Sequence, residues 1–313
     1  MNIVIAGALG HIGSQVVRDF SRMFPSAQIT MVDNMMTQRY CSLFNLPKAA
    51  TFHFLEADVL KVDLDTIFAG ADVVMQFAAI TDAANSFHNQ EAVEYNNFNT
   101  TARIADVCAK TKTPMLHMSS TSVYGTQSDV VDESCAENDL QPQSPYAETK
   151  LKEEKYLQAL SEESNLRFVI CRCGTIAGTS PGMRFHTAVN KFCWQAVMGV
   201  PLTVWRTALH QKRPYLSLDD AVRAFQFIIK NELFDGQIYN VLTENLTVFD
   251  IIESIKKHVP DIDIRYVDTK IMNQLSYDVS NSKFTELGFE FVGSIQQSIS
   301  DTIALLRHAA SAR

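Results

Sequence analysis

The sequence predicts an α/β protein: a doubly wound parallel sheet, then a smaller C-terminal lobe. Short apolar runs alternate with helical patterns from residue 1 to about 175, and a glycine-rich turn joins the first run to the first helix. After Gly174 the alternation loosens. Strand–helix alternation of this kind places crossover helices on both faces of a parallel sheet.

Each element follows from its residues. NIVIAG, QITMVD, ATFHFLEAD, DVVMQFAA, PMLHMSS and RFVICRC are short and apolar, as buried strands are. GSQVVRDFSRM, DLDTIFAG, EAVEYNNFNTTARIADVCAK and YAETKLKEEKYLQALSEES carry helical patterning between them. The polar, aperiodic stretch from Gly125 to Pro145 reads as a functional loop. The lobe boundary is placed at Gly174, giving residues 1–174 and 175–313, with some later segments packing back on the first lobe.

The chain has 313 residues, 46% hydrophobic and 20% charged, an ordinary globular composition with enough length for two lobes. A net charge of −8 argues against nucleic acid or an anionic membrane as main partner. No apolar run approaches the ~18 residues of a membrane span. The start MNIVIAGALG lacks the basic region of a signal peptide, so a cytoplasmic protein is expected. The six cysteines, at 41, 108, 135, 171, 173 and 193, form no CxxC pattern. They read as reduced, mostly buried thiols, and no metal site is expected.

GALGHIG follows the first strand directly and opens a helix. Gly7, Gly10 and Gly13 suit a tight turn and close approach of a pyrophosphate to the helix N-terminus. This is a Rossmann-type dinucleotide signature in its proper strand–turn–helix context. Asp33 ends the next strand, where a carboxylate accepts both ribose hydroxyls of NAD and repels the 2′-phosphate of NADP. Asp58 is read as ending the third strand, within reach of an adenine.

In SPYAETK, Tyr146 and Lys150 stand four residues apart, on one face of a helix. A free tyrosine titrates near ~10 and is a poor base at neutrality, but a neighbouring cation favours tyrosinate. The pair is therefore a candidate proton-transfer device.

These pieces together resemble the extended short-chain dehydrogenase/reductase family, and within it the nucleotide-sugar epimerases and dehydratases. The motifs are the glycine loop, VDN, QFAAI, Asn97 in YNNFNTT, SSTSVYG, YAETK, KRPYLSLDD and YDVSNSKFTELGF. The resemblance implies an NAD site from Gly7, Gly10, His11, Ile12, Gly13, Asp33, Asn34, Asp58, Val59, Phe77, Ala78, Ala79 and Asn97. Tyr146 and Lys150 complete it. It implies that Lys150 bonds the nicotinamide ribose and lowers the tyrosine pKa. Tyr146 then takes a sugar hydroxyl proton as hydride leaves the same carbon, and Ser120 holds that hydroxyl.

The subfamilies differ just after that serine. The 4,6-dehydratases resemble one another in an aspartate–glutamate pair, the glucuronate decarboxylases in a glutamate, and the GDP-sugar 3,5-epimerases in a cysteine. Here Thr121 and Ser122 stand there. The neutral set Ser120–Thr121–Ser122 resembles the 4-epimerases, which need no further acid or base, so a nucleotide-sugar 4-epimerase is the favoured reading. Thr175 replaces the family's diphosphate-binding asparagine, and no second diphosphate arginine stands around Asn273 to Tyr277. Arg213, alone or with Arg184 or Lys191, is assigned the diphosphate, and Trp205 is weighed as a base-stacking or a core residue. By resemblance, the helices from Glu91 to Lys110 and from Tyr146 to Glu163 pair across a homodimer axis as a four-helix bundle. The rival readings are a 4-keto-sugar reductase, a dehydratase using Cys173, His186 or His210, and a non-catalytic dinucleotide sensor.

Overall fold

The computed structural model describes residues 1–81, 85–125, 127, 130–268 and 277–309. In chain order the first half holds β1 (Asn2–Ala6), α1 (His11–Met23), β2 (Gln28–Asp33), β3 (Thr51–Glu56), α2 (Leu64–Phe68) and β4 (Val73–Gln76). It continues with α3 (Gln90–Thr111), β5 (Met115–Ser120), β6 (Val130–Val131), α4 (Pro145–Ser164) and β7 (Phe168–Cys173). The second half holds β8 (Thr175–Ala177), α5 (Ala188–Val197), β9 (Leu202–Trp205), β10 (Lys212–Ser217), α6 (Leu218–Lys230) and β11 (Ile238–Val241). It ends with β12 (Glu244–Thr247), α7 (Val248–Lys256), β13 (Ile264–Val267), β14 (Asp278–Val279), α8 (Ser282–Thr285) and α9 (Ile295–Leu306).

Seven parallel strands form the main sheet in the order β11-β7-β5-β4-β1-β2-β3. Alternation along β1 shows why both faces are covered. Ile3 and Ile5 point into a cluster with Val16, Val17 and Phe20 of α1 and Val222 and Phe225 of α6. Val4 and Ala6 point the other way, toward Leu64 and Phe68 of α2, Ile104 of α3 and Leu157 of α4. Strand order reverses between β1 and β4, and such a switch point opens a crevice at the strands' carboxyl ends.

The sheet's last strand, β11, and the helix α6 come from beyond residue 174. Five of the remaining strands of that half make the small sheets β12-β10-β8 and β13-β9 around a separate core of Val189, Phe192, Leu202, Tyr215, Ile251 and Ile299. The aperiodic stretch after Gly125 includes β6, which pairs with β14. Residues 273–276, where the sequence offers no second arginine, lie outside the described residues.

Candidate active site

The crevice at the switch point is lined by Gly7, Gly10, Asp33, Asn34, Asp58, Val59, Phe77, Ala78 and Ala79, together with Arg39, Ile80 and Asn96. The three loop glycines differ in what they do. Gly7 has φ +76°, and a Cβ there would stand 2.6 Å from Ala78 N. A Cβ on Gly13 would stand 2.3 Å from Gly7 O, so these two glycines let the loop fold onto the chain just after β4 and onto itself. Gly10 has an ordinary extended backbone, and its would-be Cβ meets only Gly7 O at 3.3 Å and Arg39 Nη1 at 3.8 Å. Its free side faces the crevice. No acidic side chain occupies the first turn of α1, and no side chain caps its N-terminus. The uncapped N–H dipoles and the cradle fit a dinucleotide diphosphate.

His11 and Ile12 are buried behind the loop. Because a carbonyl only accepts, His11 Nε2 carries the hydrogen it shares with Gly178 O, 3.0 Å away. Burial, then the charge of Arg184, lowers the His11 pKa to about 4. Ser180 Oγ donates to His11 O (2.8 Å) and Gly182 N to Ser14 Oγ (3.0 Å), so the segment 178–182 is strapped onto the glycine loop.

Asp33 ends β2. Its carboxylate accepts from Leu9 N and Met35 N, both at 3.0 Å, and lines the crevice. Asn34 Oδ1 caps the turn by accepting from Met36 N (3.0 Å). Asp58 does not end a strand: β3 stops at Glu56, and Asp58 accepts from Leu60 N (3.0 Å) in the turn beyond, still lining the crevice. The extended ladder ends there because Asp58 forms a local side-chain turn instead. Asn97 is fully buried. Its carboxamide accepts from Ile80 N (2.8 Å) and donates to Ile80 O (2.9 Å), bracing the chain after β4, while the neighbouring Asn96 lines the crevice.

Ser120 closes β5, and its Oγ lies 2.8 Å from Ser122 Oγ. Thr121 is buried, with its hydroxyl donating toward Cys173 O (3.4 Å). Tyr146 and Lys150 occupy the first turns of α4, which Ser144 caps by accepting from Ala147 N (3.2 Å) and Pro145 starts. Lys150 Nζ stands 6.0 Å from the Tyr146 ring centre. Burial raises the Tyr146 pKa, and the charges of Lys150 and Arg184 pull against it without overcoming it.

Lys150 Nζ donates to Glu153 Oε2 at 2.9 Å in a fully buried ion pair. The same oxygen accepts from Thr101 Oγ1 (3.0 Å), and His117 Nε2 lies 3.2 Å from it, without the alignment of a hydrogen bond. Glu154 faces Arg172 (2.7 Å) and accepts from Ser119. Sequence reasoning missed Glu153, His117 and Arg39. The signal for Glu153 was its place one turn beyond Lys150 on the face that Tyr146 starts.

A second cleft lies in the C-terminal half, lined by Thr175, His186, Lys191, Trp205, Arg213 and Tyr215. Arg213 Nε and Nη2 are buried there with no acceptor among the described residues, an arrangement suited to an anionic ligand. Arg184 is not among the residues lining that cleft, and stands close enough to Tyr146 and His11 for its charge to act on both. Burial pushes the Cys173 thiol up to about 12, so it holds its proton. His210 is exposed against Phe249, ring centres 5.7 Å apart.

The profile described as the NAD dependent epimerase/dehydratase family matches residues 3–241. The trifunctional UDP-glucose 4,6-dehydratase/UDP-4-keto-6-deoxy-D-glucose 3,5-epimerase/UDP-4-keto-L-rhamnose-reductase of Arabidopsis thaliana is 30% identical over 303 residues. That match takes in 92% of this chain and 44% of the relative, so the chain spans less than half the length of such relatives. A Bacillus subtilis protein named as an uncharacterized UDP-glucose epimerase is 25% identical, over 90% of this chain and 88% of its own. Among solved structures, UDP-glucuronic acid 4-epimerase from Bacillus cereus, in complex with UDP-glucuronic acid and NAD, superposes with a TM-score of 0.87. It is 23% identical, covering 99% of this chain and 100% of that one. UDP-glucose 4-epimerase from Thermotoga maritima superposes with a TM-score of 0.85 at 21% identity, over 99% of each chain. At such identities the likeness is one of fold.

Proposed function

We propose that this chain, which belongs to the NAD dependent epimerase/dehydratase family, is a nucleotide-sugar 4-epimerase. One observation carries the reaction type. Beside Ser120, Tyr146 and Lys150, the two positions that resemble the dehydratases' acid–base pair hold Thr121, turned inward toward Cys173 O, and Ser122, bonded to Ser120. Neither is an acid or a base at neutral pH, so the site is equipped for oxidation at one carbon and its reversal.

NAD, when bound, accepts hydride from the sugar and later returns it. The crevice glycines and the α1 N-terminus hold its diphosphate, and Asp33 its adenine ribose. Ser120 holds the C4 hydroxyl, and Tyr146 takes that hydroxyl's proton as the C4–H bond breaks and the C4 carbonyl forms. Lys150 keeps a positive charge beside the tyrosine. Return of proton and hydride to the opposite face of the 4-keto sugar inverts C4. Arg213, with Lys191 and Thr175, receives the substrate diphosphate in the C-terminal cleft, and Trp205 flanks it. Residues 175–313 thus act mainly as the sugar-nucleotide lobe. The reading extends to a cytoplasmic homodimer paired through α3 and α4, supported by Tyr95 standing exposed on α3.

The test is turnover in D₂O with NAD⁺ over UDP-, GDP-, dTDP- and CDP-sugars, for the native chain and Tyr146→Phe. A new sugar at unchanged mass without deuterium, abolished in the variant while NAD is retained, is the expected result. Loss of water, or deuterium at C3 or C5, would replace the proposal with a dehydratase or a 3,5-epimerase. Net formation of NADH, the reverse of a keto-sugar reduction, would make it a reductase. Indifference to Tyr146→Phe would leave a binding module.

A further inference from the structure

We propose that Glu153 is a counter-ion for Lys150 that sets how strongly the lysine charge acts on the Tyr146 hydroxyl. This rests on the reading of Tyr146 as the proton acceptor and adds a residue that reading does not use. Tyr146, Lys150 and Glu153 follow one another along one face of α4, and all three are buried. The ammonium of Lys150 is 2.9 Å from Glu153 Oε2 and 6.0 Å from the Tyr146 ring centre, so its nearest charge is the carboxylate, not the phenol. Thr101 of α3 donates to the same oxygen at 3.0 Å, fixing the carboxylate's orientation. Among the described residues Glu153 Oε1 has no hydrogen-bond partner, while Oε2 takes both Lys150 and Thr101, so the carboxylate's hydrogen bonds converge on the oxygen that faces the ammonium.

The charged and titratable groups facing this cluster are few. His117 of β5 meets Glu153, Glu154 of α4 acts on Lys150 and His117, and Arg172 of β7 is bound to Glu154. Arg184 and Cys173 act on Tyr146. Burial lowers the His117 pKa, so the imidazole is neutral, and Arg172 offsets Glu154. What remains is a triplet: phenol, ammonium, carboxylate. The carboxylate sustains the protonation of Lys150 against burial. It also opposes ionisation of Tyr146. Glu154 and Tyr146 also favour the lysine charge, so removing the Glu153 charge while keeping its shape leaves an ammonium that acts on the tyrosine without its nearest counter-ion. With seven residues of helix, about 10 Å, between them and an effective dielectric near ~20, the Tyr146 midpoint should fall by roughly one pH unit.

The experiment titrates tyrosinate absorbance of the NAD⁺-loaded protein, native and Glu153→Gln, each minus its Tyr146→Phe counterpart. No substrate is involved, so the result is independent of which sugar reaction occurs. The expected result is a lower Tyr146 midpoint in Glu153→Gln. Where a substrate turns over, the acid limb of kcat moves down by the same amount with KM unchanged, a shift that a merely structural role would not cause. Equal midpoints, or a higher one in the variant, overturn the proposal. Glu153→Met, which removes the charge with an unbranched chain, gives the same comparison if the glutamine variant does not fold.

Discussion

Gly10 and Gly13 belong to one loop, yet the same substitution must give opposite results at the two. Gly13→Ala would put a methyl 2.3 Å from Gly7 O and 2.9 Å from Ala8 Cα. Both neighbours are backbone, so the loop or the first turn of α1 has to move. Overpacking at an unyielding site costs about 1–3 kcal/mol, a large share of a typical ~5–15 kcal/mol of folding stability. Gly10→Ala meets no such obstacle. Its φ of −66° and ψ of 175° suit alanine, and the nearest atom, Gly7 O at 3.3 Å, has to give by a few tenths of an ångström. That strain is offset by the ~0.4–1 kcal/mol that a glycine-to-alanine change removes from unfolded-chain entropy. Stability should stay within about 0.5 kcal/mol of native. The new methyl, however, stands where a diphosphate must approach the α1 N–H groups. NAD affinity should fall at least about tenfold, or ~1.4 kcal/mol. Urea unfolding reads the first quantity and calorimetric NAD titration the second. If Gly10→Ala binds NAD like the native protein, the diphosphate does not lie on this loop. If Gly13→Ala unfolds at the native urea concentration, the loop is not packed as tightly as argued.

Two further outcomes follow from buried charge. Glu154→Gln leaves Arg172 buried without its carboxylate, and should cost about 3–5 kcal/mol in urea unfolding. The paired change Glu154→Gln with Arg172→Met should recover much of that, and equal losses would deny the coupling. His11, held neutral with a pKa near 4 against 6.5 unfolded, refuses a proton that the unfolded chain accepts. Its contribution is intact above about pH 6.5 and is lost as pH falls toward about 4, up to ~3 kcal/mol in all. Unfolding measured across that range should show a slope that His11→Gln removes.

The first βαβ unit was legible because each residue of β1 answers to one rule. Ile3, Val4, Ile5 and Ala6 are apolar since both sheet faces are covered, and the loop glycines stand where backbone approaches backbone. The far edge of the sheet was not legible. β11 reads IYNV, four residues long, and is placed in the main sheet by pairing with β7 more than sixty residues earlier. Nothing local in IYNV distinguishes that partner from β10 or β12. The contact of the segment 178–182 with α1 was hidden for the same reason, since His11 and Gly178 lie 167 residues apart.

The site divides along the same line, and α4 shows why. Residues 152–155, KEEK, are four successive charged residues, yet Glu153 and Glu154 are buried while Lys152 and Lys155 are half-exposed. Counting by helical turns from Tyr146 gives Lys150, Glu153, Glu154 and Leu157, the inward stripe that apolar residues normally fill. The stripe is polar because the strands beneath it are polar where they reach the site. β5 presents His117 and Ser119 and β7 presents Arg172, so the helix meets each with a group of matching charge or hydrogen-bonding sense. A buried carboxylate is stable only beside such partners. Glu154 has Arg172 for a partner, and that pair is complete within the fold. The cation beside Glu153 is Lys150, which the reaction also needs, and a charge shared between structure and chemistry is where a fold tunes a reacting group. One helix face therefore carries the proton acceptor, its cation and the anion that restrains both, and only the first two could be read from YAETK.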